Sequence, residues 1–139
     1  MPYAGWLLYL LLAVLGGRPQ HGMATVFGAS SWDGANPHDR LACDHRPIDD
    51  AQDVIVASKE YGCDTLLLIY NPRTRKSVLA RVADWGPLHA RLDLSRRTAQ
   101  ALKHNGMEPV LFFSLGKVPK PQKRKKGDSD AKRAHRGIV

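Results

Sequence analysis

The feature that most limits the fold of this chain is the shortness of its apolar runs. Between Ala24 and Leu115 none outlasts a single β-strand, and the longest, Thr65–Tyr70, has six residues. A continuous apolar run of that length fits a strand covered on both faces. Ala24-Thr-Val-Phe27 and Val54-Ile-Val-Ala-Ser58 precede it as further strand-like segments. Asn71-Pro72 opens a turn and Ser77 to Ala83 resumes as a strand, so 65–83 reads as a hairpin. Val110–Leu115 is the last strand. One helix interrupts the series: Ser95 caps it, Leu94, Thr98, Ala101 and Leu102 share a face, and Asn105-Gly106 ends it. Many short strands, one short helix and no alternation of strands with crossover helices predict a mainly β fold, a small closed barrel.

The 139 residues fit one domain of ordinary size. Composition divides them into a hydrophobic N-terminal segment (1–22), the barrel domain (23–116) and a basic tail (117–139). Trp6 to Leu15 is a ten-residue apolar stretch closed by Gly16-Gly17-Arg18-Pro19. Ten residues match the apolar part of a secretory signal and are too few to span a bilayer. Two other readings stand beside the signal: a buried helix or strand that starts the domain, and translation from Met23. The tail holds nine basic residues against Asp128 and Asp130, a net +7, while the rest of the chain carries +1. The formal charge of +8 and the pI of 9.8 therefore describe the tail more than the folded domain. Its prolines, like charges and scarce apolar side chains predict disorder. Such a tail either attaches to an anionic polymer, a membrane surface or nucleic acid, or keeps a small protein soluble. No base-reading motif accompanies it.

Cys43 and Cys63 are the two cysteines. An even count in an exported chain reads as a disulfide, worth about 3 kcal/mol for a loop of roughly 20 residues. Two free buried thiols, or half a metal site, are the alternatives. Neither a CxxC nor an HxxxH pattern accompanies the pair, so no metal or cofactor is expected. The bridge depends on export, because the cytosol keeps thiols reduced.

Chemistry-bearing residues are densest in Ala83-Asp84-Trp85-Gly86-Pro87-Leu88-His89-Ala90-Arg91-Leu92-Asp93-Leu94-Ser95. Asp84 ends a strand, Gly86-Pro87 turns the chain, and Asp93 sits just before the helix, so both carboxylates flank one loop. Two nearby acids push their pKa values apart and leave one protonated, as glycosidic cleavage requires of its general acid. The plainer reading makes Asp93 an acid at a helix start and Asp84 a turn residue bonded to its own backbone.

The segment Val78-Leu-Ala-Arg-Val-Ala-Asp84-Trp-Gly-Pro87, followed by Arg91-Leu-Asp93-Leu-Ser95 and Thr98-Ala-Gln-Ala-Leu102, resembles the rare lipoprotein A-like double-psi β-barrel family. Ala24-Thr25-Val26-Phe27-Gly28 is similar to that family's opening motif. Leu41-Ala-Cys43 and Tyr61-Gly-Cys63-Asp-Thr65 resemble its barwin- and expansin-like branch, in which these cysteines pair. The resemblance covers about residues 24–115 and implies a six-stranded barrel acting on cell-wall polysaccharide. Bacterial members include peptidoglycan lytic transglycosylases, lyases that close a 1,6-anhydro ring without water. Expansin-like members loosen walls with little hydrolysis.

By this carry-over Asp93 is the first candidate general acid/base and Asp84 its supporting carboxylate. Thr25, Trp85, Ser58 and His89 are candidate substrate-binding residues. The chain departs from the family pattern at Trp85, where an Arg is usual, and at Ser58, where many members have His. The interval from Asp84 to Asp93 is also shorter, and the frequent Glu before the second strand has no clear counterpart. These differences favour the alternative of a non-catalytic barrel that binds polysaccharide or a partner protein. The chain is read as a monomer, secreted or held in the bacterial envelope, and a phage carrying a wall-active protein would equally produce it.

Overall fold

The computed structural model describes Leu7, Leu10, Leu11 and Val14, and then residues 18–28, 40–87 and 89–118. Most of the apolar N-terminal segment and the tail beyond Val118 lie outside the described residues. So do the signal and polyanion readings attached to them. Among the described residues, no helix is long and apolar enough to cross a membrane.

Six strands follow in chain order: β1 Gln20–Phe27, β2 Ile55–Ala57, β3 Thr65–Asn71, β4 Lys76–Asp84, β5 Leu92–Ser95 and β6 Met107–Lys117. The helix α1, Arg96–Ala101, lies between β5 and β6. The strands close into a barrel in the order β1-β5-β2-β4-β3-β6, with β6 returning to β1. Pairs β1/β5 and β2/β4 are parallel and the other four antiparallel. Over described residues 18–28, 40–87 and 89–118 this is the closed six-stranded barrel with one short helix that the sequence predicts, and its pairing is mixed.

Alternation along the strands sorts side chains to two sides. Ala24, Val56, Leu67, Ile69, Leu94 and Phe112 belong to the main interior cluster. On the outside, Phe27, Ile55, Ala57 and Ala83 pack with Leu41 and Ile48 of the loop before β2. Leu68, Tyr70 and Phe113 form a third cluster on β3 and β6. Both faces of β3 are therefore apolar, which explains its unbroken run.

Three local features differ from the sequence expectation. β1 begins at Gln20, and Gln20, His21 and Gly22 pair with Phe112, Leu111 and Val110. Asp93 lies within a strand, β5, rather than in a loop beside the helix. The helix buries Thr98, Ala99 and Leu102, while Ala101 is exposed. Its orientation is set by Ser95, whose Oγ accepts from the Thr98 amide and donates to the Asp53 carbonyl. Thr98 Oγ1 donates to the Ile55 carbonyl at 3.0 Å, turning Thr98 toward β2 and Ala101 outward. Leu102 caps the helix and Lys103 takes a left-handed φ of 48°, so the helix stops before Asn105-Gly106.

A polar knot fastens the β3–β4 turn to the end of the helix. Asn71, fully buried, donates to the Leu102 carbonyl at 3.1 Å and to Glu108 Oε1 at 2.8 Å. Arg73 Nε donates to Glu108 Oε2 at 2.6 Å, and Arg73 Nη2 to the Lys103 carbonyl. The Arg73 guanidinium, aided by Asn71 and the Asn105 amide, holds the Glu108 carboxyl down from 4.5 to about 2. A depressed acid contributes stability that is present above its unfolded value and lost as pH falls through its folded one. Glu108→Gln is thus expected to flatten the loss of stability between pH 4.5 and about 2, as read by urea midpoints across that range. An unchanged acid limb would show that other carboxylates govern it.

Candidate functional site

Cys43 and Cys63 are bridged, with Cα atoms 5.6 Å apart. The bridge straddles β4. The Cys43 amide donates to the Ala83 carbonyl at 3.0 Å, and the Asp64 amide to the Val82 carbonyl at 2.9 Å. Arg81 spans the same two segments, reaching Asp44 at 2.6 Å and Asp64 at 3.0 Å. The residue before Cys43 then touches the candidate chemistry. Both the Ala42 amide (3.0 Å) and the Trp85 amide (2.9 Å) donate to Asp84 Oδ1, which fixes that carboxylate at the end of β4.

Register aligns the candidate residues into one row. Asp84 pairs with Ala57, Ala57 with Asp93, Asp93 with Thr25, and Thr25 with Met107. Directly paired residues point to the same side of a sheet. Asp93 and Thr25 thus share a side with Ala57, while Asp84 lies across Ala57 at an irregularity where the β2–β4 register shifts, its backbone two strand spacings, roughly 10 Å, from Asp93.

Asp93 is 5% exposed and accepts a hydrogen bond from Thr25 Oγ1 at 2.9 Å. Burial raises its pKa above the ordinary range, the Thr25 hydroxyl opposes that shift, and the Asp84 charge adds to it. A carboxyl so placed keeps its proton to higher pH than a free one, the direction an acid catalyst needs.

Trp85 follows Asp84 and is 65% exposed, next to the cis Gly86–Pro87 bond. His89 is exposed on the same loop. Ser58, by contrast, is buried, with its Oγ accepting from the amides of Glu60 and Tyr61. It serves the turn before β3. The row thus brings together Asp84, Asp93 and Thr25, with Trp85 beside them.

Arg91 pairs with Glu60 at 2.5 Å and lies 5.1 Å above the Phe112 ring. It also fills the space over Gly22, where an added Cβ would stand 2.3 Å from Arg91 Cδ. Sequence reasoning passed over the Ala42 amide, because a backbone donor leaves no mark in residue type. It also passed over Met107, whose place in the row is set by strand register. Among the described residues, no group of three or more His, Cys, Asp or Glu side chains is placed to hold a metal ion.

No protein-family model matches the chain, and no curated protein matches it. Solved structures do. The Streptomyces papain inhibitor superposes with a TM-score of 0.54 at 16% identity, covering 70% of this chain and 94% of that one. A mutant of the Clavibacter michiganensis expansin in complex with cellohexaose superposes with a TM-score of 0.52 at 23% identity, over 75% of this chain. The match spans 54% of the expansin, about half its length. At these identities the likeness is one of fold, and it defines the class: a double-psi β-barrel carrying a disulfide.

Proposed function

We propose that this chain is an exported, cell-wall polysaccharide-active barrel of the rare lipoprotein A-like kind. It holds a glycan strand against the row that contains Asp93 and Thr25. The observation that carries this reading is the Asp93 carboxyl, which is buried and raised in pKa yet hydrogen-bonded to a side chain of the adjoining strand. The expansin structure with cellohexaose supports polysaccharide as the ligand class.

In the catalytic form of the proposal, Asp93 gives its proton to the glycosidic oxygen as the C–O bond breaks. The C6 hydroxyl of the muramyl residue then bonds to C1, and its proton returns to the Asp93 carboxylate. No water is consumed. Asp84, fixed by two amides, keeps a second acid beside Asp93, and Trp85 offers a flat face for a sugar ring. A second reading, binding without cleavage, is favoured by Ser58 being committed to its turn.

The test is incubation of purified peptidoglycan with the full chain, Asp93→Asn and Asp84→Asn, with products read by mass spectrometry and bound protein by pelleting. Anhydro-ended muropeptides from wild type, lost at least a hundredfold in Asp93→Asn, support the lyase. Pelleting of all three proteins with no soluble product establishes the binding module. If nothing pellets and nothing is released, the polysaccharide reading is wrong.

A further inference from the structure

Exposure changes steadily along the row. At the β6 end Met107 is 69% exposed, Thr25 is half-buried, Asp93 falls to 5%, and Ala57 beyond it to 4%. Ala57 is covered because it packs with Leu41 and Ile48 of the loop before β2. Beside Asp93 the open part of the row therefore lies over β1 and β6.

The surface a ligand would cross there carries exposed apolar side chains. Met23 is 42% exposed and pairs in register with the exposed Pro109, one alternation away from the Thr25–Met107 pair. Two methionines and a proline thus continue the site on the side of Asp93 away from Trp85. Methionine is flexible and polarisable, suited to an irregular apolar surface such as a sugar ring with N-acetyl methyl groups. Isolated exposed apolar residues need no explanation, but a contiguous group beside a buried acid does.

We infer that Met107, with Met23 and Pro109, is a second platform for the glycan strand, which crosses β6 and β1 to reach Asp93. This rests on the polysaccharide reading above. It assigns the binding direction and makes N-acetylated sugars the favoured class.

The experiment is peroxide oxidation of the full chain with and without soluble peptidoglycan fragments. Sulfoxide formation is read separately at Met23 and Met107 by peptide mass mapping. Binding isotherms for Met107→Ala and Met107→Leu accompany it. The expected result is several-fold slower oxidation of both methionines in the presence of glycan. Met107→Ala should bind roughly five- to tenfold more weakly, while Met107→Leu stays within about twofold of wild type. Because Met107 is exposed, both variants should melt with wild type, which separates a lost contact from a lost fold.

Fragments that bind without protecting either methionine would overturn the platform and leave the polysaccharide reading standing. Protection that needs no glycan and rises with protein concentration, alongside a larger sedimenting mass, would assign the surface to a second copy of this chain instead. Failure of wild type to bind any fragment would overturn both readings together.

Discussion

Reduction of the Cys43–Cys63 bridge is expected to lower the melting temperature of the barrel by roughly 12–24 °C. The bridge joins residues 20 apart, and closing a loop of that length restricts the unfolded chain by about 3 kcal/mol. In a domain of this size each kcal/mol moves the melting point by about 4–8 °C. The native side of the balance changes less, because Arg81 still joins Asp44 to Asp64 and the Cys43 amide still reaches Ala83. Calorimetry with and without reductant, and of Cys43→Ser/Cys63→Ser, gives the number. A melting point that ignores reductant would mean that ion pairs and the outer apolar cluster already fix the loop.

The second large effect has the opposite sign. Asp93→Asn should raise the melting temperature at pH 7 by a few degrees while removing whatever proton chemistry the site performs. An acid whose folded pKa is raised favours the fold most below its unfolded value, 3.8, and loses that contribution as pH rises through its folded value. Above that folded value the fold carries a buried charge beside Asp84, which Asn removes while its amide oxygen can still accept from Thr25. A stabilised variant without activity is the usual sign of a site strained for function. In the pH profile, the wild-type and variant stabilities should converge on acidification. A variant less stable than wild type at pH 7 would make Asp93 a structural residue and undo its role as the acid.

The short apolar runs made the barrel legible, since strands such as Thr65–Tyr70 and Val110–Leu115 declare themselves by length and branching. The paired cysteines and the Ser95 cap were legible for the same local reasons. The strand at Leu92–Ser95 was not. It has four residues, one of them acidic, and its identity comes from partners on β1 and β2 more than 30 residues away in sequence. Ala101 was assigned to the buried face because helical spacing alone cannot register the Thr98–Ile55 bond. Glu108 offered no sequence sign of burial, because its partners Asn71 and Arg73, on β3 and the turn after it, lie more than 30 residues away in sequence. For the site, residue types pointed to Asp84 and Asp93 together. The tether from Ala42 and the open side at Met107 required the register.

Closure of the barrel has one more consequence. Each described strand has a hydrogen-bonded neighbour on both sides for part of its length, so none presents an edge open along its whole length to an extended peptide. Recognition by strand addition, a common route to peptide binding on open sheets, finds no full-length edge on this barrel. The proposed ligand would be read mainly by side chains standing off the outer surface and by the loops at its ends. Such a reader suits a repeating polymer whose units present rings and hydroxyls rather than a peptide backbone.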